Sequence, residues 1–224
     1  MERYTLLLTT EDGVVLYDLH RRRLNPDGDA AADGAFARFA REARPGVHAV
    51  WAGEGGALRV ESRGGSRLRE GMPARLLVSP FAGGRGPMPK PAPPSPYDAV
   101  RAEGVATLLT SADGAEIYEA CVAAVLGWDG RRIVCVPGDR PRVWSTAEAA
   151  VREHLPVSEA PILTSSATPL LLVNAVKGAC AVGLPGRPAF PTGARKEIEH
   201  LFERLTAAQG PGARGKEPDR TTTG

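Results

Sequence analysis

Lysine is scarce in this chain. Of 28 basic residues only four are lysine, Lys90, Lys177, Lys196 and Lys216, and the other 24 are arginine. Chemistry that needs a lysine amine as a covalent nucleophile therefore has four candidates. Cysteine is scarce as well: Cys121, Cys135 and Cys180 form no C-x-x-C pair, and His20, His48, His154 and His200 are scattered. That pattern lacks metal-ligand spacing and offers no even-numbered disulfide framework. The three thiols lie in apolar runs, as buried free cysteines in a reducing cytoplasm do. No window approaches the length of about 18 apolar residues that crosses a bilayer. Glu11 and Asp12 interrupt the first apolar stretch before it reaches signal-peptide length. The expectation is a cytoplasmic protein with no membrane partner. A net charge of +2 gives no electrostatic case for nucleic acid. Also missing are a G-x-G-x-x-G after a strand, a P-loop and a nucleophile elbow, so serine or cysteine hydrolase chemistry has no positive support.

What is present suits a globular protein. With 224 residues, 42% hydrophobic and 24% charged, the chain can build one large domain or two modest ones around a sizeable core. Arg3–Thr9 reads as a strand, Glu11-Asp12-Gly13 as a turn, and Val14–Leu19 as the hairpin partner leading into LHRRRL. Asp33 is placed to cap a helix over Gly34–Ala43, whose Phe36, Phe39, Ala40 and Ala43 recur at helical spacing. Strand-like runs follow at Val47–Trp51, Leu58–Ser62 and Arg75–Ser79.

The sharpest composition break is Ala82–Pro96, where six prolines and three glycines fall within fifteen residues. Such a stretch forms neither helix nor central strand, and reads as a partly extended connector. Composition alone makes its lysine, Lys90, a solubilising charge. A helix at Tyr97–Glu103, a strand at Val105–Ser111 and a second hairpin strand from Ala115, continuing through Cys121–Leu126, come next. Ile133–Val136 is a further strand. Ser145 or Thr146 caps a helix over Ala147–His154, with Glu148 in its first turn. Leu170–Val173 is a short apolar run, and Lys196–Thr206 an amphipathic helix. The expected domains are an α+β unit over residues 1–82, a connector over 83–96, a second α+β unit over 97–206, and a disordered tail over 207–224.

Four fragments, taken in order, resemble the class IV aminotransferases, pyridoxal-phosphate enzymes that include branched-chain and D-amino-acid aminotransferases and aminodeoxychorismate lyase. TLLLTTEDGVVLYDLHRRRL is similar to the family's strand, turn and H-x-x-R-L helix start, with His20 and Arg23-Leu24 in the motif. Lys90 followed by Tyr97 is similar to its lysine and tyrosine. LLTSADGAEIYEA resembles the strand that carries its acid, here Glu119. LLLVNAVKGACAV resembles the strand and loop near its phosphate site, with Asn174 and Ala175 in the relevant places. The likeness runs from about Tyr4 to Leu205.

The resemblance implies an α+β, two-domain class IV aminotransferase-like (D-amino-acid aminotransferase-like) fold with a shortened N-terminal domain. It implies pyridoxal 5'-phosphate as cofactor, an amino-acid-like substrate, a homodimer, and either aminotransferase or β-eliminating lyase activity, the fourth fragment being more lyase-like. Lys90 would be the catalytic residue that carries the cofactor. Glu119 would face the ring nitrogen and Arg23 the phosphate. Tyr97 would lie at the phenolic oxygen, and Ser145, Thr146, Asn174 and Ala175 about the phosphate. The chemistry asks for these residue types: an amine of depressed pKa, an acid for the ring nitrogen, and a planar cation for a phosphate. The sequence departs from the family pattern at Ala124, where an asparagine is usual, and at VWSTAEAAV, which replaces the family's phosphate loop and puts a carboxylate, Glu148, where a basic residue is common. A relative that works without pyridoxal phosphate, as a binding protein or a repurposed catalyst, is the alternative reading.

Overall fold

The computed structural model describes residues 3–64 and 68–209, so the tail read as disordered lies, from residue 210, outside the described residues. The first strand, β1 (Arg3–Thr10), turns at Glu11-Asp12 into the two-residue β2 (Gly13–Val14). The expected strand Val14–Leu19 stops there because Leu16 takes a left-handed conformation, φ 55°. For a leucine this costs about 1–2 kcal/mol. It turns the chain into α1 (Tyr17–Leu24), which sets the positions of His20 and Arg23. Helix α2 (Ala30–Glu42) begins earlier than expected because Asp29, not Asp33, accepts from the amides of Ala31 and Ala32. Asp33 is engaged by Arg21 and Asn25 instead.

β3 (Gly46–Ala52) pairs antiparallel with β1 in continuous register from Arg3↔Ala52 to Thr9↔Gly46. β4 (Leu58–Arg63) adds to its far edge, giving a sheet of order β2-β1-β3-β4. Alternation along β1 sends Leu7 to one face, where it packs with Tyr17, Phe36, Ala40 and Val50. Tyr4 goes to the other face, with Trp51 and Ala49. That second face looks toward the connector, since Ala92 packs on it.

The next strand, β5 (Met72–Val78), follows the first sheet in sequence but pairs parallel with β6 (Ala106–Thr110) and β13 (Gly178–Gly183). It is thus a strand of the large sheet, although it precedes residue 82. Helix α3 (Pro96–Val100) is shorter than its expected span, and Gly104 turns the chain at φ +69° into β6. The predicted continuous second hairpin strand is two strands, β7 (Glu116–Ala120) and β8 (Ala124–Trp128). A tight turn divides them, closed by Ala120 N–H donating to Ala123 O at 2.9 Å.

β9 (Ile133–Cys135), α4 (Thr146–His154), β10 (Val157–Glu159), β11 (Ile162–Leu163), β12 (Leu170–Asn174) and α5 (Thr192–Gln209) complete the chain. The nine strands run β10-β9-β8-β12-β13-β5-β6-β7-β11. Leu171 and Val173 of β12 face α4 and α5, meeting Ala150, Val151, Ile198 and Leu201, and Leu16 and Leu19 join the same cluster. Leu170 and Leu172 face the opposite way, against Leu108, Ile117 and Val125. Two-sided burial explains why LLLVN reads as an unbroken apolar run. No described helix is long and apolar enough to cross a membrane.

The connector is pinned rather than loose. Met88 lies alongside Val143: its N–H donates to Arg142 O at 2.8 Å, and its carbonyl accepts from Trp144 N–H at 3.1 Å. Lys90 follows two residues later.

Candidate active site

Lys90, Arg23, Tyr97, Glu119, Ser145, Thr146, Asn174 and Ala175 all line one cleft of about 240 Å³. They come from α1, the connector, α3, β7, the start of α4 and the end of β12, so only the tertiary fold brings them together.

Glu119 sits on β7 opposite Leu109 of β6. Its Oε1 accepts from the Tyr97 hydroxyl at 2.6 Å, and its Oε2 accepts from the backbone N–H of Val143 at 3.1 Å. Burial pushes its pKa up to about 7, against the pull of those two donors and of Arg142. Tyr97 is buried under this contact, and its own pKa is raised by burial and by the carboxylate. In the fold the Tyr97 hydroxyl is a donor to Glu119.

Lys90 lies between Pro89 and Pro91, neither of which carries an N–H. Its Nζ stands 5.3 Å from the centre of the Tyr4 ring. Burial lowers its pKa to about 7, and Arg23, Arg101 and Lys177 push in the same direction. Near neutral pH a large share of Lys90 is therefore the free amine, the nucleophilic form.

The three consecutive arginines of α1 have separate partners. Arg21 pairs with Asp33 at 2.8 Å and Arg22 with Glu153 at 2.9 Å. Arg23 has no carboxylate partner among the described residues; its guanidinium lies over the Trp144 ring at 5.1 Å, and burial lowers its pKa to about 10. His20, one turn back, is fully buried, with Nδ1 2.7 Å from Thr5 Oγ1 and Nε2 unpartnered among the described residues. Burial and the cations Arg23 and Lys90 hold it neutral.

Ser145 caps α4, its side chain accepting from the Glu148 N–H. The N-terminus of this helix opens on the cleft, and its first amides have no intrahelical partner. Glu148 does not face the cleft. It is 2% exposed and engaged by Arg142 through both carboxylate oxygens, and by Arg152 at 2.8 Å. The repulsion that its position in sequence suggests does not arise. Asn174 serves the backbone: its Oδ1 accepts from Val176 and Lys177 N–H at 2.8 and 3.1 Å, and its Nδ2 donates to Val122 O. Its contribution to the cleft is the shape of the turn that presents Ala175.

Other lining residues escaped the sequence reading. Arg101, just past α3, and Tyr4 and Trp144 line the cleft but were not singled out in the sequence. The backbone amide of Val143 carries no sequence signal at all. Cys121 also lines the cleft, its thiol pushed up by burial.

No protein-family model and no curated protein matches the sequence. Solved structures do match the fold. A hypothetical aminotransferase from Mycobacterium tuberculosis aligns over 92% of this chain and 89% of its own, with TM-score 0.61 at 20% identity. A structure described as a branched-chain amino acid aminotransferase from Thermotoga maritima aligns over 92% and 86%, with TM-score 0.66 at 15% identity. The 4-amino-4-deoxychorismate lyase from Pseudomonas aeruginosa aligns over 91% and 89%, with TM-score 0.62 at 16% identity. The Mycobacterium protein has also been solved with PLP bound, and with alpha-ketoglutarate and PMP bound. What is shared at these identities is the architecture: this chain has the α/β fold of the class IV aminotransferase-like structures.

Proposed function

We propose that the chain is a pyridoxal-phosphate-dependent enzyme of the aminotransferase or lyase type, acting on an amino-acid-like substrate, with Lys90 as its covalent nucleophile. The observation that carries this reading is the pairing of a half-neutral amine, Lys90, with a buried acid, Glu119, in one cleft, both with pKa values near 7. An aldehyde cofactor needs the amine unprotonated, and its ring nitrogen needs an acid partner.

The residues present fit the group. Arg23, without a carboxylate partner among the described residues, and the open N-terminus of α4 suit a phosphate, and the Glu148 carboxylate is turned onto Arg142 and Arg152. When bound, pyridoxal phosphate supplies the electron sink for a substrate carbanion. Lys90 Nζ would take up and return the substrate proton. Glu119 would hold a proton between its carboxylate and the ring nitrogen. Tyr97 and the Val143 amide fix the Glu119 carboxylate in place, and Asn174 holds the turn at Ala175.

Spectroscopy tests the reading. Purified protein titrated with pyridoxal phosphate is expected to develop a visible absorption band that Lys90→Ala lacks. A wild-type protein that gains no band is a cofactor-free relative, and the proposal fails.

A further inference from the structure

Two buried charges that the cofactor reading does not use lie one step behind the cleft. Arg142 and Glu148 pair with each other, and neither lines the cleft. The Arg142 fork donates through Nη1 and Nη2 to the two oxygens of Glu148, and Nη2 also donates to Val136 O at 3.2 Å. Glu148 stands in the first turn of α4, whose Ala147, Ala150 and Val151 belong to the core, and Val136 directly follows β9. Arg142 is thereby tied to a packed helix and to the end of a strand.

The two residues that follow reach the site. Val143 N–H donates to Glu119 Oε2 at 3.1 Å, and the Trp144 ring lies under the Arg23 guanidinium at 5.1 Å. Arg142 O and Trp144 N–H also make the two-bond ladder with Met88, two residues before Lys90. The backbone that presents the Val143 amide therefore has the Met88 ladder on one side and the Arg142 fork on the other. A hydrogen bond weakens steeply as its angle degrades, so this amide serves Glu119 only while that backbone is held. Glu119 Oε1 has Tyr97, whereas Oε2 has the amide alone among the described residues.

We infer that Arg142 is a positioning residue for Glu119, acting through the Val143 amide, and that Glu148 is the anchor that aims it. Arg142 fixes the backbone that carries the donor, and the planar fork with its several bonds is what makes the hold directional. This deepens the proposed function and rests on it only for the use made of the Glu119 proton. Glu148 then has a task in the site although its carboxylate points away from the cleft.

Carbon-13 NMR of the Glu119 carboxyl across pH, in the cofactor-free full chain, tests this, with Glu119→Gln identifying the signal. Burial raises the Glu119 pKa most; Tyr97, the Val143 amide and Arg142 draw it down, and Glu148 pushes it up. In an Arg142→Met/Glu148→Leu double variant the two opposed charges go together, so the amide is what remains to move the titration. Apolar replacement of a whole buried pair is commonly tolerated in stability, and Arg152 retains Glu159 and Val136 O. The Glu119 midpoint is expected about one pH unit above wild type, the scale of a lost donor to a carboxylate. Arg142→Lys, which keeps the charge without the fork, is expected to move it the same way by less. Arg152→Gln, which takes the other cation from Glu148 and leaves the Arg142 fork, is expected to leave it in place. A folded Arg142 variant of either kind with an unmoved or lowered midpoint overturns the inference, as does an equal rise in Arg152→Gln. Lys90 keeps the Met88 ladder in all of these, so the visible band is a separate readout. A wild type without the band fails the cofactor reading and leaves the positioning by Arg142 standing.

Discussion

The Tyr97 hydroxyl donates to Glu119 Oε1 at 2.6 Å, joining a five-residue helix to a strand of the large sheet across 22 positions of sequence. The bond links the end of the proline-rich connector to the acid of the cleft, and it lowers the Glu119 pKa against the upward push of burial. Tyr97→Phe removes the donor and leaves a buried carboxyl with one partner. The expected result is a loss of about 2 kcal/mol in denaturant unfolding, the scale of a hydrogen bond to a charged group. The Glu119 titration should move upward. A variant as stable as wild type, with an unmoved titration, would show that the contact matters little.

The two shifted groups predict an unusual pH profile. Glu119 has its folded-state pKa raised from 4.5 to about 7. Its protonated form favours the fold, so that stabilisation is complete below 4.5 and is lost as pH rises through 7. Lys90 has its folded-state pKa lowered from 10.5 to about 7. Its neutral form favours the fold, so that contribution is complete above 10.5 and is lost as pH falls through 7. Between them the cofactor-free protein has a dip in stability near neutral pH. Thermal melts across pH should lose the acid-side limb in Glu119→Gln and the alkaline-side limb in Lys90→Met.

Glu148 has a structural task that its sequence position hides. It is buried with both oxygens on Arg142, and it also holds Arg152, which donates to Val136 O. Removing one member of a buried ion network leaves the others uncompensated, at a cost of about 3–5 kcal/mol. Glu148→Ala should therefore unfold at much lower denaturant. The visible band with pyridoxal phosphate, measured below that transition, should hold, because the carboxylate is turned onto Arg142 and Arg152.

The sequence carried much of this, unevenly. Motif order brought out Lys90 and Glu119, although composition made Lys90 an ordinary linker charge. β12 was legible because a strand buried on both faces must be apolar throughout. β5 was visible as a strand but not as a member of the large sheet, because parallel pairing joins residues far apart in sequence. The boundary between β7 and β8 was invisible because the turn itself, Cys121-Val122-Ala123, is apolar and carries no glycine, proline or asparagine to mark the break. The sequence reading placed the cap at Asp33, but in the fold Arg21 engages that carboxylate and Asp29 caps the helix.

The measurement that bears most directly on Lys90 is chemical. Full-length protein is incubated with pyridoxal phosphate, reduced with borohydride, digested and mapped by mass spectrometry. The account predicts the pyridoxyl mass on Lys90, with the label abolished in Lys90→Ala. A label found on Lys177, Lys196 or Lys216 with Lys90 unmodified, or no label at all, would contradict it.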